Sequence, residues 1–257
     1  MNLRMPTEGL ANYKSASQRA RISSEAWGAQ NLYCPRCTAD RLNQLPGNTP
    51  VIDFRCPECN SGFQLKSGTS EFRNRLVDGA YSQMHSAILH GKTPNLLLLR
   101  YNLNPLTVNA VSFIPDFAFT LSAVECRKPL AATARRAGWI GCNILLSRIP
   151  SDARIFLVKE NRAVPAQAAR SAFQKLRPLA TVKAENRGWT LDVLNVVRSL
   201  NKSEFNLAEV YSFKDYLSQL HPNNSHIRDK IRQQLQVLRD MGILEFLGGG
   251  RYHVNQT

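Results

Sequence analysis

Residues 51 to 68 read VIDFRCPECNSGFQLKSG and combine three kinds of chemistry within eighteen positions. Asp53 precedes a Cys-x-x-Cys pair, and a Gln-x-Lys pair, Gln64 and Lys66, follows it. If VIDF and FQLK are strands on either side of the cysteine turn, Asp53 lies near Gln64 and Lys66, which share one face because side chains alternate along a strand. The stretch therefore predicts a hairpin that carries a metal site at its tip and a candidate reactive centre on its strands.

The metal site is predicted from the spacing of four cysteines. Cys34 and Cys37 form one Cys-x-x-Cys pair, and 18 residues separate it from the pair Cys56 and Cys59. Two such pairs are typical of a four-thiolate zinc ribbon or knuckle. Four protein thiolates leave the ion no open position, so we expect a structural Zn²⁺.

The arrangement Pro50-x-x-Asp53, followed by Gln64-x-Lys66, resembles the PD-(D/E)xK nuclease motif with glutamine at its middle position. Phosphodiester hydrolysis of this kind uses Mg²⁺ or Mn²⁺, which prefer oxygen ligands. Asp53, the Gln64 amide and the Leu65 carbonyl offer such oxygens, and Lys66 would orient the attacking water. The alternative is a surface hairpin with Asp53 in a turn and Lys66 extended into solvent.

The composition indicates a polyanionic partner. The chain of 257 residues has a formal charge of +14 and a sequence pI of about 9.9. Most of the excess lies in residues 1–181, with 23 basic and 11 acidic residues, against 10 and 8 in residues 182–257. Nucleic acid is the leading candidate. No apolar run is long enough to cross a membrane and no secretory signal is visible, so we expect a cytoplasmic, monomeric protein without a membrane partner.

The chain divides at TVKAENRG, residues 181–188, a polar and apolar-poor stretch typical of a linker. Residues 1–181 alternate short aliphatic runs with helical patterns and predict a mixed α/β domain. Residues 182–257 predict three helices, capped by Thr190, Asn206 and Ser225, and then two strands joined by three glycines. Three helices and a glycine-tipped hairpin define a winged helix-turn-helix.

The third of these helices is the predicted recognition helix. Its apolar residues recur at spacings of four, four and three, which buries one face and leaves Arg228 and Arg232 on another. We expect Ser225, His226, Arg228 and Arg232 to contact DNA at this helix, and Arg251 in the wing to reach phosphate. The alternative is an ordinary amphipathic helix with a solvated basic face.

Longer segments carry a resemblance to a known family. RKPLAATARRAGWIGCNI (residues 127–144) and HIRDKIRQQLQVLRDMGILEF (residues 226–246) closely resemble the DpnI-like methyl-dependent restriction endonucleases. YKSASQRARI, LVDGAYSQM and RGWTLDVLN do so as well, in the same order along essentially the whole chain. The resemblance implies a PD-(D/E)xK domain with an embedded four-cysteine zinc site, followed by a winged helix.

The resemblance also implies an activity. Members of this family cleave double-stranded DNA at GATC when the adenine is N6-methylated, between methyladenine and thymine, leaving blunt ends. Carried onto this chain, it implies catalytic roles for Asp53, Gln64 and Lys66 in a restriction system. The family motif has glutamate where this chain has Gln64, which is either a natural variant or an inactivating substitution.

The methyl group gives Trp139 a role, because N6-methylation adds an apolar bulge in the major groove that an apolar surface can read. Arg135 and Arg136 precede it and would contact phosphates. A lone tryptophan is most often a core residue, but the arginines and the resemblance favour DNA contact. For Glu25 and His85, a surface or core position is favoured over a place in the active site.

A rival hypothesis uses the same DNA-binding features without catalysis. The chain would then be a zinc-ribbon and winged-helix reader of methylated DNA, either a transcription factor or a nuclease silenced at Gln64. Only Asp53 and Lys66 favour cleavage, because a protein that binds DNA without cutting it does not need them on facing strands.

Overall fold

The computed structural model describes residues 1–47 and 49–255, which form the helices and strands that follow. The helices are α1 Ala16–Asn31, α2 Tyr81–Leu89, α3 Ala166–Leu176, α4 Ala184–Ser199, α5 Leu207–Tyr211, α6 Lys214–Leu220 and α7 Ile227–Asp240. The strands are β1 Asn43–Gln44, β2 Phe54–Arg55, β3 Gly62–Gly68, β4 Arg75–Ala80, β5 Asn95–Leu103, β6 Leu106–Ile114, β7 Val124–Cys126, β8 Gly141–Leu145, β9 Ile155–Lys159, β10 Arg162–Ala163, β11 Glu204–Asn206, β12 Leu244–Gly248 and β13 Arg251–Val254.

Two compact units, each built from three chain segments, divide the fold. Unit 1 is Met1–Arg73, Pro94–Asp116 and Ala153–Gln174, and unit 2 is Asn74–Thr93, Phe117–Asp152 and Lys175–Thr257. Unit 1 contains the predicted zinc ligands and the predicted catalytic residues. Unit 2 contains the winged helix together with the Trp139 segment, so every residue predicted to contact DNA lies in it. These two units do not correspond to the predicted domains at residues 1–181 and 182–257. The domain boundary after residue 181 stays a prediction.

Unit 1 is organised around a curled seven-stranded sheet of order β1-β2-β3-β5-β6-β9-β10. Only the β3–β5 pair is parallel, and the others are antiparallel. The aliphatic run at residues 96–99 forms the middle of β5 and is buried throughout, as a strand covered on both faces requires. Phe63, Phe113 and Phe173 pack ring to ring at 6.0 Å and join the sheet to α3. The predicted mixed α/β fold is confirmed.

Unit 2 contains two three-stranded sheets, β4-β8-β7 and β11-β13-β12. The second sheet and helices α4 to α7 form the predicted winged helix-turn-helix. Positive φ angles at Gly248, Gly249 and Gly250 make the turn of the wing. Helices α4 and α7 pack together, and between them the Thr190 hydroxyl donates a buried hydrogen bond of 2.7 Å to the Gln234 amide oxygen.

Helix α4 contradicts two predictions: the exposed linker at residues 181–188 and the helix cap at Thr190. Helix α4 begins at Ala184, inside the polar stretch, and Thr190 is fully buried in its interior. Oγ1 of Thr190 also lies 3.0 Å from the carbonyl of Asn186 one turn earlier, so its single proton is shared between two acceptors. Because both bonds satisfy the hydroxyl within the fold, tertiary packing outweighs the capping preference of threonine.

The other two predicted caps have different outcomes. Asn206 is confirmed as the N-cap of α5 and forms a capping box with Glu209. The single helix predicted after it is two helices, since α5 ends at Tyr211 and α6 begins at Lys214. The cap predicted at Ser225 is wrong, because the N-cap of α7 is His226, whose N–H donates to the side chain of Asn224. Among the described residues no helix is long and apolar enough to span a membrane.

Candidate active site and DNA-contacting surfaces

The four predicted zinc ligands come together in unit 1. The Sγ atoms of Cys34, Cys37, Cys56 and Cys59 all lie within 4.8 Å of one another. Cys34 and Cys59 approach to 3.7 Å, and Cys37 and Cys56 to 3.4 Å. Four sulfurs at this separation fit one tetrahedral Zn²⁺ and leave it no position for a substrate.

Burial changes the acidity of the thiols in this cluster. Burial raises the pKa of the Cys34 thiol and brings that of Cys37 to about 11. Burial acts in the same direction on Cys59, but hydrogen bonds from Ser61 and the neighbouring thiols lower its pKa to about 7. Neutral thiols are therefore favoured at the buried positions unless a metal ion stabilises the thiolates.

The cluster stands at the tip of the predicted hairpin, but the first strand is shorter than the predicted VIDF strand. Strand β2 is Phe54–Arg55, and Asp53 lies just before it. Strands β2 and β3 pair antiparallel through Phe54 with Phe63 and Arg55 with Gly62. The Cys56 N–H closes the turn on the carbonyl of Ser61 at 2.9 Å. Since β2 has only two residues, a metal at the tip would hold together a hairpin with few backbone hydrogen bonds of its own.

The hairpin brings Asp53 against the Gln64–Lys66 strand. The Asp53 N–H donates to the Phe63 carbonyl at 2.8 Å, and Oδ2 of its carboxylate accepts the Leu65 N–H at 2.7 Å. Gln64 pairs with Leu96 of β5, and Lys66 pairs with Leu98. Because they are two residues apart on one strand, both side chains point to the same face of the sheet. The structure therefore brings together the three residues of the predicted motif.

Glu25 also belongs to this cluster, a position that the sequence did not favour. It lies on α1, is 8% exposed, and its carboxylate accepts hydrogen bonds from Arg21 at 2.5 Å and from Gln44 at 3.3 Å. Burial raises the pKa of the Asp53 carboxyl, against the Leu65 hydrogen bond, and the charge of Glu25 raises it further. His85, by contrast, lies in unit 2 and packs against Tyr81.

The donor set of this cluster fits a divalent cation. Asp53 supplies a carboxylate, and Gln64 and Leu65 contribute an amide and a backbone oxygen, whereas both oxygens of Glu25 already accept hydrogen bonds. Burial is the main cause of the raised pKa of Asp53, while the Leu65 hydrogen bond and the charges of Arg21 and Lys66 lower it. Sequence reasoning missed Glu25 because nothing local links it to a motif more than twenty residues away.

Trp139 lies in the segment between β7 and β8 of unit 2, which backbone hydrogen bonds hold as a compact loop. The Leu130 N–H donates to the Trp139 carbonyl at 2.9 Å, and the Arg136 guanidinium covers the indole at 4.7 Å from its centroid. A Cβ on Gly141 would lie 2.7 Å and 2.8 Å from two atoms of the ring. The half-buried indole therefore rests on the backbone of Gly141, while Arg135 and Arg136 are exposed.

The predicted contacts of the winged helix are also on the surface of unit 2. Arg228 and Arg232 are exposed on α7, and their guanidinium groups lie 5.2 Å and 5.7 Å from the ring of Tyr211 on α5. Ser225 and His226 are exposed at the N-terminus of the same helix, and Arg251 is exposed at the start of β13. Tyr211 is a partner of the arginines that the sequence did not reveal.

A mixed α/β unit with a four-cysteine cluster, combined with a winged helix-turn-helix, defines the class of zinc-site proteins with a DNA-binding domain. Comparison with known families agrees. The model of the Dam-replacing family (DpnI) matches residues 1–182. The model of the Dam-replacing HTH domain matches residues 185–254. The chain belongs to the Dam-replacing family, and this membership indicates a DNA-binding, methyl-dependent restriction nuclease.

Proposed function

We propose that the protein cleaves double-stranded DNA at GATC sites containing N6-methyladenine, between methyladenine and thymine, and leaves blunt ends. The observation that carries the proposal is the 2.7 Å hydrogen bond from Leu65 to Asp53, which sets the carboxylate against the strand of Gln64 and Lys66. A DNA reader without cleavage activity has no need of this half-buried cluster with its two neighbouring carboxylates.

In the proposed mechanism each residue has a defined task. Asp53, Gln64 and the Leu65 carbonyl would hold Mg²⁺ or Mn²⁺, which when bound would offset the charge that develops on the phosphate. Lys66 orients the attacking water and stabilises the same charge from the protein side. Glu25 is paired with Arg21 and acts on the Asp53 carboxyl only through its charge. The fixed hairpin keeps these groups in place before DNA binds.

The neutral Gln64 leads to a testable prediction. Gln64→Glu adds a formal charge to the ligand set, so we expect half-maximal cleavage of methylated plasmid at a Mg²⁺ concentration at least about tenfold lower, or about 1.4 kcal/mol in cation binding. The measurement is a plasmid digest over a Mg²⁺ series, with methylated and unmethylated GATC substrates. Gln83→Glu, which adds the same charge at an exposed position of α2, is the control. An unchanged Mg²⁺ requirement would contradict a ligand role for Gln64.

The same digest separates the rival function. A neutral amide at position 64 specifically favours a silenced nuclease, which binds methylated DNA but does not cut it. In that case the chain retards methylated duplex in a gel, and only Gln64→Glu cleaves. If both proteins cut methylated plasmid and spare the unmethylated one, glutamine is a working ligand. If neither cuts or prefers methylated DNA, the proposed function is wrong.

Methyl reading is expected to depend on the support beneath Trp139. Gly141→Ala places a methyl group in the volume of the indole, so the ring must leave its present position. We expect this variant to lower the ratio of affinities for methylated and unmethylated duplex about as much as Trp139→Ala does. The affinities are measured by fluorescence anisotropy. Gly79→Ala is the control, because a Cβ there meets no atom within 4 Å. An unchanged ratio in both variants would remove Trp139 from methyl recognition.

A further inference from the structure

A cavity of about 210 Å³ lies in unit 1 on the same sheet face as Gln64 and Lys66. Strand register establishes the shared face, because directly paired residues point to the same side of a sheet. Lys66 pairs with Leu98, Leu98 with Ser112, and Ser112 with Phe156. Leu98, Ser112 and Phe156 all line the cavity. Three strand spacings of about 4.8 Å separate β3 from β9, so the far wall lies about 14 Å from Lys66 across the sheet.

The lining of this cavity has an excess of cationic groups. Its cationic residues are Arg100, Arg154 and Lys159, and its acidic residues are Glu71 and Glu160. The carboxylate of Glu71 is already paired with Arg73, at 3.0 Å. The guanidinium of Arg100 bonds only the neutral side chain of Asn109 among the described contacts. Neither Arg100 nor Arg154 forms an ion pair among the described contacts, and with Glu71 and Glu160 included the lining keeps a net charge of +1.

Arg154 is the most exceptional of these cations. Its Nε is buried and has no hydrogen-bond partner among the described residues, and Nη2 reaches only the Phe72 carbonyl at 3.4 Å. Burial lowers the pKa of its guanidinium, and the charge of Glu71 only partly offsets this. A buried donor left unsatisfied costs free energy, which an anion inside the cavity would recover.

We propose that this cavity binds a phosphate group of the DNA backbone, with Arg154 as the principal donor and with Arg100 and Lys159 contributing charge. The guanidinium offers planar paired donors that match phosphate oxygens. The site rests on the proposed function, because its place on the Lys66 face positions a phosphate a few nucleotides from the scissile bond. A bound phosphate there fixes the register of the duplex without reading its sequence.

The first experiment measures how salt affects the affinity of the full-length protein for a methylated GATC duplex. Arg154→Met removes the phosphate contact, so we expect the slope of log Kd against log salt to fall by about 0.9, with similar losses on all duplex sequences. Arg154→Lys retains the charge and keeps most of the slope. Arg162→Met removes an exposed charge at the sheet edge outside the cavity and keeps the slope of the parent protein. Melting temperatures without DNA show that the variants are folded.

The second experiment uses inorganic phosphate as the probe. At matched ionic strength, phosphate in place of chloride should raise the melting temperature of the parent protein but not that of Arg154→Met. Equal salt slopes for the parent and a folded Arg154→Met would overturn the proposal. A phosphate effect on melting with unchanged slopes would also overturn it, since the cavity would then bind free anions and not DNA. If the parent protein shows no preference for methylated duplex, the proposed function fails, whereas the phosphate experiment still tests the anion site.

Discussion

Asp53→Asn is expected to reduce cleavage of methylated DNA by at least about a thousandfold and to leave methyl-specific binding intact. The carboxylate loses its charge but keeps its size and its ability to accept the Leu65 N–H. Cation binding is therefore weakened without a change in the hairpin. Binding is expected to persist because the residues predicted to read the methylated site lie in unit 2, and because Asp53 does not line the proposed phosphate-binding cavity of unit 1.

The measurement is single-turnover cleavage of a methylated duplex, together with anisotropy binding in Ca²⁺, which occupies oxygen sites without supporting rapid hydrolysis. Asp40→Asn is the matched control, since it removes the same charge from a side chain that is 95% exposed in the same unit. Cleavage by Asp53→Asn close to that of the parent would show that Asp53 is not a ligand. Loss of cleavage and binding together would mean that the substitution disturbs the fold.

Cys34→Ser is expected to abolish zinc binding and to unfold unit 1 at temperatures where the parent protein is stable. Structural zinc sites supply apparent binding free energies of about 10–16 kcal/mol in small domains, comparable with the whole stability of a typical domain. Removal of one thiolate also weakens the metal cross-link of the hairpin, whose strand β2 has only two residues. Because that hairpin carries Asp53, cleavage is lost with the metal.

Zinc content by atomic spectroscopy and the melting temperature test this prediction. Cys126→Ser is the control, because Cys126 is exposed and lies outside the four-cysteine cluster. A chelator added to the parent protein should reproduce the effect of Cys34→Ser, with an excess of Mg²⁺ present throughout. A folded Cys34→Ser protein with one equivalent of zinc would show that the metal, if structural, has other ligands.

Together these two variants assign separate tasks to neighbouring parts of one hairpin. The cysteines at the tip hold the fold, whereas Asp53, just before β2, and Lys66 on β3 take part in the proposed chemistry. Asp53→Asn should leave the melting temperature nearly unchanged, whereas Cys34→Ser should lower it. A lower melting temperature for Asp53→Asn, with none of this effect for Cys34→Ser, would contradict a structural role for the tip.

The sequence by itself determined the features that depend on local spacing. Two Cys-x-x-Cys pairs predict the zinc cluster, because metal ligands must lie close together in the chain on each side of the ion. The hairpin and the winged helix follow from the alternation of apolar residues and from turn glycines. Asn206 caps its helix as predicted, because its partner Glu209 is only three residues away.

Only the tertiary structure decided the features that depend on contacts distant in sequence. Glu25 joins Asp53 because α1 packs against β3, and Thr190 is buried because α4 packs against α7. The division into two units, each made of three chain segments, has no signature in composition or linkers. The support of Trp139 by Gly141 and the unsatisfied Nε of Arg154 are also long-range packing facts. Local patterns fix elements and ligand pairs, whereas burial and charge compensation emerge only when the elements pack.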